Sequence, residues 1–480
     1  MKLNKKISLT TSLVIPMSLV VVTAAACGKV ENGGSKSGEA DKKVDETAKT
    51  IEENAKRMGI EPTIVTSVDS LTTLSKNKKN VVVYFSDSLP GNGISNLLKT
   101  HPKISEKLSG FTMYDNTVSS NYTNLGVPAI LGGWDFTMDE QKYGFFKNED
   151  GQEVVNLAHD RMMEMFQKAG YKQAWHSLQY YATGSSKYAV EPKKAMKRIG
   201  ENRDITVTNP AWVNQTFEGE KYNANLRPQY RHMNSLKQIN EYIRLKETGK
   251  PLFKFIGNES THTPFAFEDK DGYHPGNANG SSRNKSMETV MDLFGKFVDK
   301  VKSFGKEIYD NTVILFVSDH GAHEGDKSAY KYLSPKMKKF EGDFLEVNGL
   351  FESFGSTSII RNNPTILMKP FNETGKLKYN SKTLLSIYDI PQILLNEINK
   401  GKKVLDFNVN KSKNKMYSKN PLALTSRTLE VYNETHWWIE SGNKHTVPQI
   451  ALRVHNNFYD FNNWEWSPFK ENKVWKKIEK

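Results

Sequence analysis

One cysteine, Cys27, is all the thiol this chain of 480 residues contains. That excludes an internal disulfide and any metal cluster built on cysteines. An unbroken apolar run long enough to span a membrane is also missing, because the stretch from Ile7 to Val22 is interrupted by Pro16. There is no internal repeat and no sustained heptad, and the spacing around His320-Gly321-Ala322-His323-Glu324 does not match the His-Glu-x-x-His of a zinc-protease helix. Acidic side chains are in deficit: 54 Asp and Glu stand against 67 Lys and Arg, a net charge of +13. Such a balance favours anionic partners, although a lysine-rich solvated surface has the same count.

What is present starts at the N-terminus. Lys2, Lys5 and Lys6 precede the apolar run, and Ala24-Ala25-Ala26 lead into Cys27. This is the layout of a secretory signal. Its Ala-Ala-Ala-Cys ending resembles a bacterial lipoprotein processing site, which implies cleavage after residue 26, a lipid on Cys27 and a domain held at the outer face of the cell membrane. A plain uncleaved anchor would lead to the same place. Residues 27–79 read as a polar tether, flexible around Gly33-Gly34-Ser35-Lys36-Ser37-Gly38, with a solvated helix between Glu39 and Met58.

From Asn80 onward, strand and helix patterns alternate. Asn80 to Phe85, Tyr171 to Trp175, Leu252 to Ile256, Thr312 to Val317 and Thr365 to Met368 are short apolar runs suited to buried strands. Helical spacing appears between Val154 and Ala169, at Leu236, Ile239, Ile243 and Leu245 behind a Ser235 cap, and from Met287 to Phe304. The pattern predicts an α/β domain over residues 80–403, with a mainly parallel sheet sandwiched by helices. Residues 404–480 are aromatic-rich, at Trp437-Trp438, Phe458-Tyr459 and Trp464 to Trp466, and predict a small C-terminal β-rich extension.

In open parallel sheets, functional groups gather beyond the C-terminal strand ends. Asp87 follows the first run, and Asp319-His320-Gly321 follow the fourth. Carboxylates and a neutral imidazole suit Zn2+, Mn2+ or Mg2+. A lone Asp after a strand is more often a helix cap, but the Asp319-His320 pair, with a glycine behind it that permits close approach, is harder to dismiss. Thr123 stands where the polar Ser119-Ser120-Asn121-Tyr122 turns into the apolar segment Leu125 to Leu131. It is either a cap or a hydroxyl exposed at the positive end of a helix, where an alkoxide would be stabilised.

Together these segments resemble the alkaline-phosphatase/sulfatase superfamily, and most closely its sulfatase-like phosphoglycerol and phosphoethanolamine transferases, typified by the lipoteichoic-acid-synthase catalytic domain. The resemblance runs from about residue 80 to about residue 395 through Asn80 to Ser88, Thr123 to Pro128, Asp310 to Gly321, Asn363 to Pro370 and Ser386 to Pro391. It implies one divalent metal ion held by Asp87, Thr123, Asp319 and His320. Thr123 would be the nucleophile, and His262, in Thr261-His262-Thr263-Pro264, would contact the transferred group. Asp389 reads as structural; His323 and Glu324, which extend the last motif, could serve a second metal, although solvent-exposed loop residues are the commoner case.

The implied reaction is attack by the threonine oxygen on an anionic phosphoester, giving a covalent intermediate resolved by water or an acceptor alcohol. A phospholipid headgroup or phosphoglycerol polymer would be the substrate, with no specific nucleic acid expected. Formylglycine sulfatases need a Cys or Ser in a Cys/Ser-x-Pro-x-Arg context, which the nucleophile position lacks, so sulfate esters are disfavoured. The relatives of this branch carry several membrane helices, which leaves hydrolase and transferase both open. The competing reading is a sulfatase-fold surface lipoprotein that serves as a binding module or adhesin without catalysis.

Overall fold

The computed structural model describes residues 68–142, 151–176, 204–208, 236–237, 239–262, 265, 282–322, 331–339, 359–400, 414–433 and 450–478. Cys27, Ser235, His323, Glu324 and Trp437-Trp438, and the helix expected before Met58, lie outside these residues.

The principal sheet has eight strands. In chain order they are β1 (Asn80–Ser86), β2 (Thr112–Tyr114), β3 (Lys172–His176), β4 (Ile205–Thr208), β5 (Leu252–Asn258), β6 (Thr312–Val317), β7 (Ile366–Lys369) and β8 (Lys378–Asn380). Across the sheet the order is β8-β2-β7-β6-β1-β5-β3-β4. Five of the seven pairings are parallel; β7 runs antiparallel to both of its neighbours.

The strands follow from their composition. All seven residues of β1 are buried, since β5 and β6 flank it and both faces are covered. Val81, Val83 and Phe85 enter one core, while Val82 and Tyr84 enter the other. On the first face lie helices α2 (Thr123–Gly132), α3 (Gly151–Lys168) and α5 (Ile390–Asn399). On the second lie α1 (Gly91–Thr100) and α4 (Arg283–Ser303), with Met287, Val290, Met291, Phe294, Phe297, Val298 and Val301 of α4 buried at helical spacing. The expected α/β sandwich is therefore the observed one.

The C-terminal extension is an antiparallel sheet of four strands in chain order, β9 (Thr428–Asn433), β10 (Ile450–His455), β11 (Trp464–Pro468) and β12 (Lys476–Lys477). Leu429, Val431, Leu452, Val454 and Trp464 join the first core. The extension also braces the approach to α2: Tyr432 N–H donates to Ser120 Oγ (3.2 Å), and the side-chain amides of Asn362 and Asn433 bond each other.

Two expectations are corrected. Leu245 does not belong to a helix. Arg244–Lys246 is a short strand paired in parallel with Thr73–Ser75, because a neighbouring strand takes up its backbone groups and outweighs the helical spacing of its apolar residues. Residues 68–75, assigned to the tether, belong to the fold, with Leu71 and Leu74 fully buried.

Candidate metal centre and active site

The sheet order brings the reactive residues together. β1 lies between β5 and β6, parallel to both, with Phe85 opposite Val317 and Ser86 opposite Asn258. The three strands therefore end side by side, and Asp87, Thr261-His262 and Asp319-His320 emerge at one edge. β7 enters the sheet antiparallel to β6, with Ile366 opposite Val317, so the segment before it, including Arg361, starts at that same edge.

Asp87, Asp319 and His320 are buried, and one ligand atom from each lies within 4.8 Å of the others. His320 Nε2 is 3.5 Å from Asp319 Oδ2, 3.7 Å from Asp87 Oδ1 and 3.2 Å from Thr123 Oγ1. His320 Nδ1 lies 2.8 Å from the Gly321 carbonyl, which can only accept, so this nitrogen carries the proton and Nε2 presents its lone pair to the cluster. Asp319 Oδ1 accepts from the backbone N–H groups of Ser88 (3.0 Å) and His320 (2.9 Å).

Neither cap reading survives. Tyr122 is the N-cap of α2 and makes no side-chain cap bond, so Thr123 begins the helix with its hydroxyl turned to His320. Helix α1 is preceded by Pro90 as its cap, not by Asp87. Two glycines permit the approach. A Cβ on Gly126 would lie 2.6 Å from the Asp319 carbonyl oxygen, so α2 can press against Asp319 only because that residue has no side chain. A Cβ on Gly321 would lie 1.8 Å from the Ile360 oxygen.

The electrostatics are those of a site short of positive charge at its centre. Burial pushes the Asp87 carboxyl well above its usual range; Asp319 and Glu259 push it the same way, while Arg283 and Arg361 pull it down. Burial also raises Asp319, against the Ser88 N–H, the Thr123 hydroxyl and the His320 N–H, which lower it. His320 is held well below the usual imidazole value by burial first and then by Arg361, with the bond to Gly321 opposing and His262 and Arg283 adding to the fall. Two buried acids that resist ionisation, facing a neutral imidazole lone pair, fit a divalent cation.

The chain matches the sulfatase family model over residues 70–347, more than half its length. It belongs to the sulfatase family. Within the alkaline-phosphatase/sulfatase superfamily it is similar to three solved structures. One is a protein of the alkaline phosphatase superfamily from Vibrio parahaemolyticus, at 12% identity over 90% of this chain and 87% of that one, with a TM-score of 0.46. Another is the lipoteichoic acid synthase LtaP from Listeria monocytogenes, at 12% over 84% and 88%, with 0.45. The third is the phosphonate monoester hydrolase of Agrobacterium radiobacter, at 11% over 82% and 89%, with 0.41. No curated protein matches the chain.

Within this sulfatase fold the structure gathers Asp87, Thr123, Asp319 and His320 at one point. His262 stands half-buried at the rim, its backbone N–H donating to the Glu259 carbonyl (3.0 Å). Asp389 is part of the scaffold: Arg427 donates to both its oxygens (2.6 and 2.7 Å), Trp134 Nε1 donates at 2.8 Å and the Ser386 N–H at 3.0 Å.

Sequence reasoning missed Arg283 and Arg361. Both are fully buried, and both act on Asp87 and His320. The Arg361 guanidinium lies 3.9 Å from the Tyr122 ring centroid, next to the nucleophile candidate. One signal was available for Arg283: a cation opening a long helix sits at the unfavourable end of the dipole.

Proposed function

We propose that this sulfatase-family chain is a phosphoester hydrolase or phosphoglycerol-type transferase that works through a covalent intermediate on Thr123. The observation that carries the reading is the Thr123 hydroxyl, 3.2 Å from His320 Nε2 at the point where Asp87 and Asp319 converge. A nucleophile needs a site that makes its hydroxyl more acidic, and nothing in a binding surface calls for this set of four.

Asp87, Asp319, His320 and the Thr123 oxygen would hold the cation. A divalent cation bound there (Mn2+, Zn2+ or Mg2+) lowers the pKa of the hydroxyl and neutralises charge on the substrate oxygens. Thr123 Oγ1 attacks phosphorus as its proton passes to solvent water, the bond to the leaving oxygen breaks on the opposite side and that oxygen takes up a proton, and water or an acceptor alcohol then frees the phosphoryl group from the threonine. His262, at the rim, would donate a proton to the leaving oxygen or a hydrogen bond to a non-bridging one. The positive end of the α2 dipole, where Thr123 begins the helix, would favour the same developing charge.

Two features support phosphoesters over sulfate esters, a threonine in place of a formylglycine precursor and the lipoprotein-type Ala-Ala-Ala-Cys27 ending; the net charge of +13 suits an anionic substrate of either kind. The lipid on Cys27 would keep the enzyme at the outer face of the membrane, within reach of anionic headgroups or phosphoglycerol polymers. Among the described residues, no helix is long and apolar enough to cross a membrane. The test compares phosphate and sulfate mono- and diesters carrying one chromogenic leaving group, with Thr123→Ala as background. A phosphodiester preference is expected. Faster sulfate turnover would overturn the reading, and no turnover with no bound metal would favour a binding module.

A further inference from the structure

Arg283 is the first residue of α4, yet its side chain is fully buried and reaches away from the helix toward the strand ends. Its Nη1 donates to the Ser88 carbonyl (2.7 Å), to Ser88 Oγ (3.2 Å) and, more weakly, to the Thr261 carbonyl (3.4 Å). The Phe265 ring covers the guanidinium at 5.0 Å.

The residue it grips is unusual. Ser88 has φ of 63°, a left-handed conformation that a side chain bearing a Cβ seldom adopts unless its surroundings hold it. In that conformation it joins the two acids. It follows Asp87 directly, its N–H donates to Asp319 Oδ1 (3.0 Å) and its hydroxyl donates to the Gly321 carbonyl (3.2 Å). Thr261, the third point of contact, donates its hydroxyl to the Asp87 carbonyl and shares a 3.0 Å bond with Ser86 Oγ. A single guanidinium thus ties the ends of β1 and β5 directly, and the end of β6 through Ser88.

We propose that Arg283 is a positioning residue that holds Ser88 in its left-handed turn and thereby keeps Asp87 and Asp319 convergent before a cation arrives. The need is physical: two buried carboxylates repel each other, and without a tie the Asp87 turn could relax to an ordinary backbone conformation that carries the carboxylate away. Each of the three carbonyl and hydroxyl groups that Arg283 grips belongs to a neighbour of a ligand rather than to a ligand. The same grip sets the loop on which His262 follows Thr261. The inference rests on the cation site proposed above.

The test is Mn2+ binding to the metal-stripped protein by calorimetry, for wild type, Arg283→Lys, Ser88→Gly and the double variant, with thermal unfolding of each metal-free protein alongside. Lysine keeps the charge but cannot span these acceptors, so Arg283→Lys should weaken Mn2+ binding about tenfold or more, in the range found for groups that orient metal ligands. Glycine occupies the left-handed region without penalty, so in the Ser88→Gly background the same change should cost much less. Equal losses in both backgrounds would overturn the proposal, because Arg283 would then act through something other than the Ser88 turn. Unchanged affinity in Arg283→Lys would overturn it as well. Should Arg283→Lys not fold, Arg283→Gln, which also cannot span these acceptors, replaces it in both backgrounds and is read in the same way. Failure of the wild type itself to bind Mn2+ would instead count against the cation site, before any variant is compared.

Discussion

Gly126→Ala adds one methyl group where α2 meets the end of β6. That Cβ would lie 2.6 Å from the Asp319 carbonyl oxygen and 2.8 Å from the Asp319 Cβ, against the 3.4 Å at which ordinary contact begins. The shortfall is about 0.6 to 0.8 Å. Neither partner is the free end of a flexible side chain, so the helix or the strand end has to shift by that amount. Overpacking of this kind costs roughly 1 to 3 kcal/mol. The effect on rate should be larger, because Thr123 stands one turn before Gly126 on the same helix and is carried with it. Misplacing a reacting group by about 1 Å costs on the order of 100-fold. A thermal melt and phosphodiester turnover on the same sample would separate the two: a modest fall in midpoint with a loss of rate approaching 100-fold is expected. Wild-type rate with an unchanged midpoint would refute the reasoning, since α2 would then not be seated on Asp319.

Replacing Asp87, Asp319 or His320 by Ala should each lower the bound-metal stoichiometry measured on purified protein; unaltered stoichiometry in all three would rule out a shared site. Asp389→Ala strands the buried Arg427 guanidinium, so stability should fall by about 3 to 5 kcal/mol in denaturant titration while the folded fraction keeps its metal. Burial holds the His159 imidazole down at about 3 from 6.5, so it is neutral in the fold, and the unfolded chain binds the extra proton between those values. Its contribution to stability is therefore present above pH 6.5 and lost as pH falls toward 3; His159→Gln should flatten the acid side of the stability profile, and a wild-type slope in that variant would contradict the assignment.

The legible part of the molecule was the part set by local apolar runs. β1, β5 and β6 are buried on both faces and so read as apolar runs, and the ends of β1 and β6 pointed to Asp87 and the Asp319-His320 pair, whereas His262 was marked only by the family resemblance. The role of Thr123 was legible only as a choice between cap and nucleophile, because the two differ in the direction of one hydroxyl. Arg361 was hidden because it reaches the site through β7, the strand that enters antiparallel, and no single-sequence pattern gives strand direction. Arg283 was hidden because its partners are carbonyl groups of distant loops, which every residue has. Leu245 misled because spacing is blind to the strand Thr73–Ser75 that pairs with it.

In the proposed mechanism Thr123 becomes covalently modified during turnover. This is tested most directly by acid-quenching the enzyme during steady-state cleavage of a phosphodiester and mapping its peptides by mass. The transferred phosphoryl group is expected on the peptide containing Thr123, at its hydroxyl, and is expected to be absent from Thr123→Ala. Sustained turnover with no adduct on Thr123, or full turnover by Thr123→Ala, would contradict that mechanism.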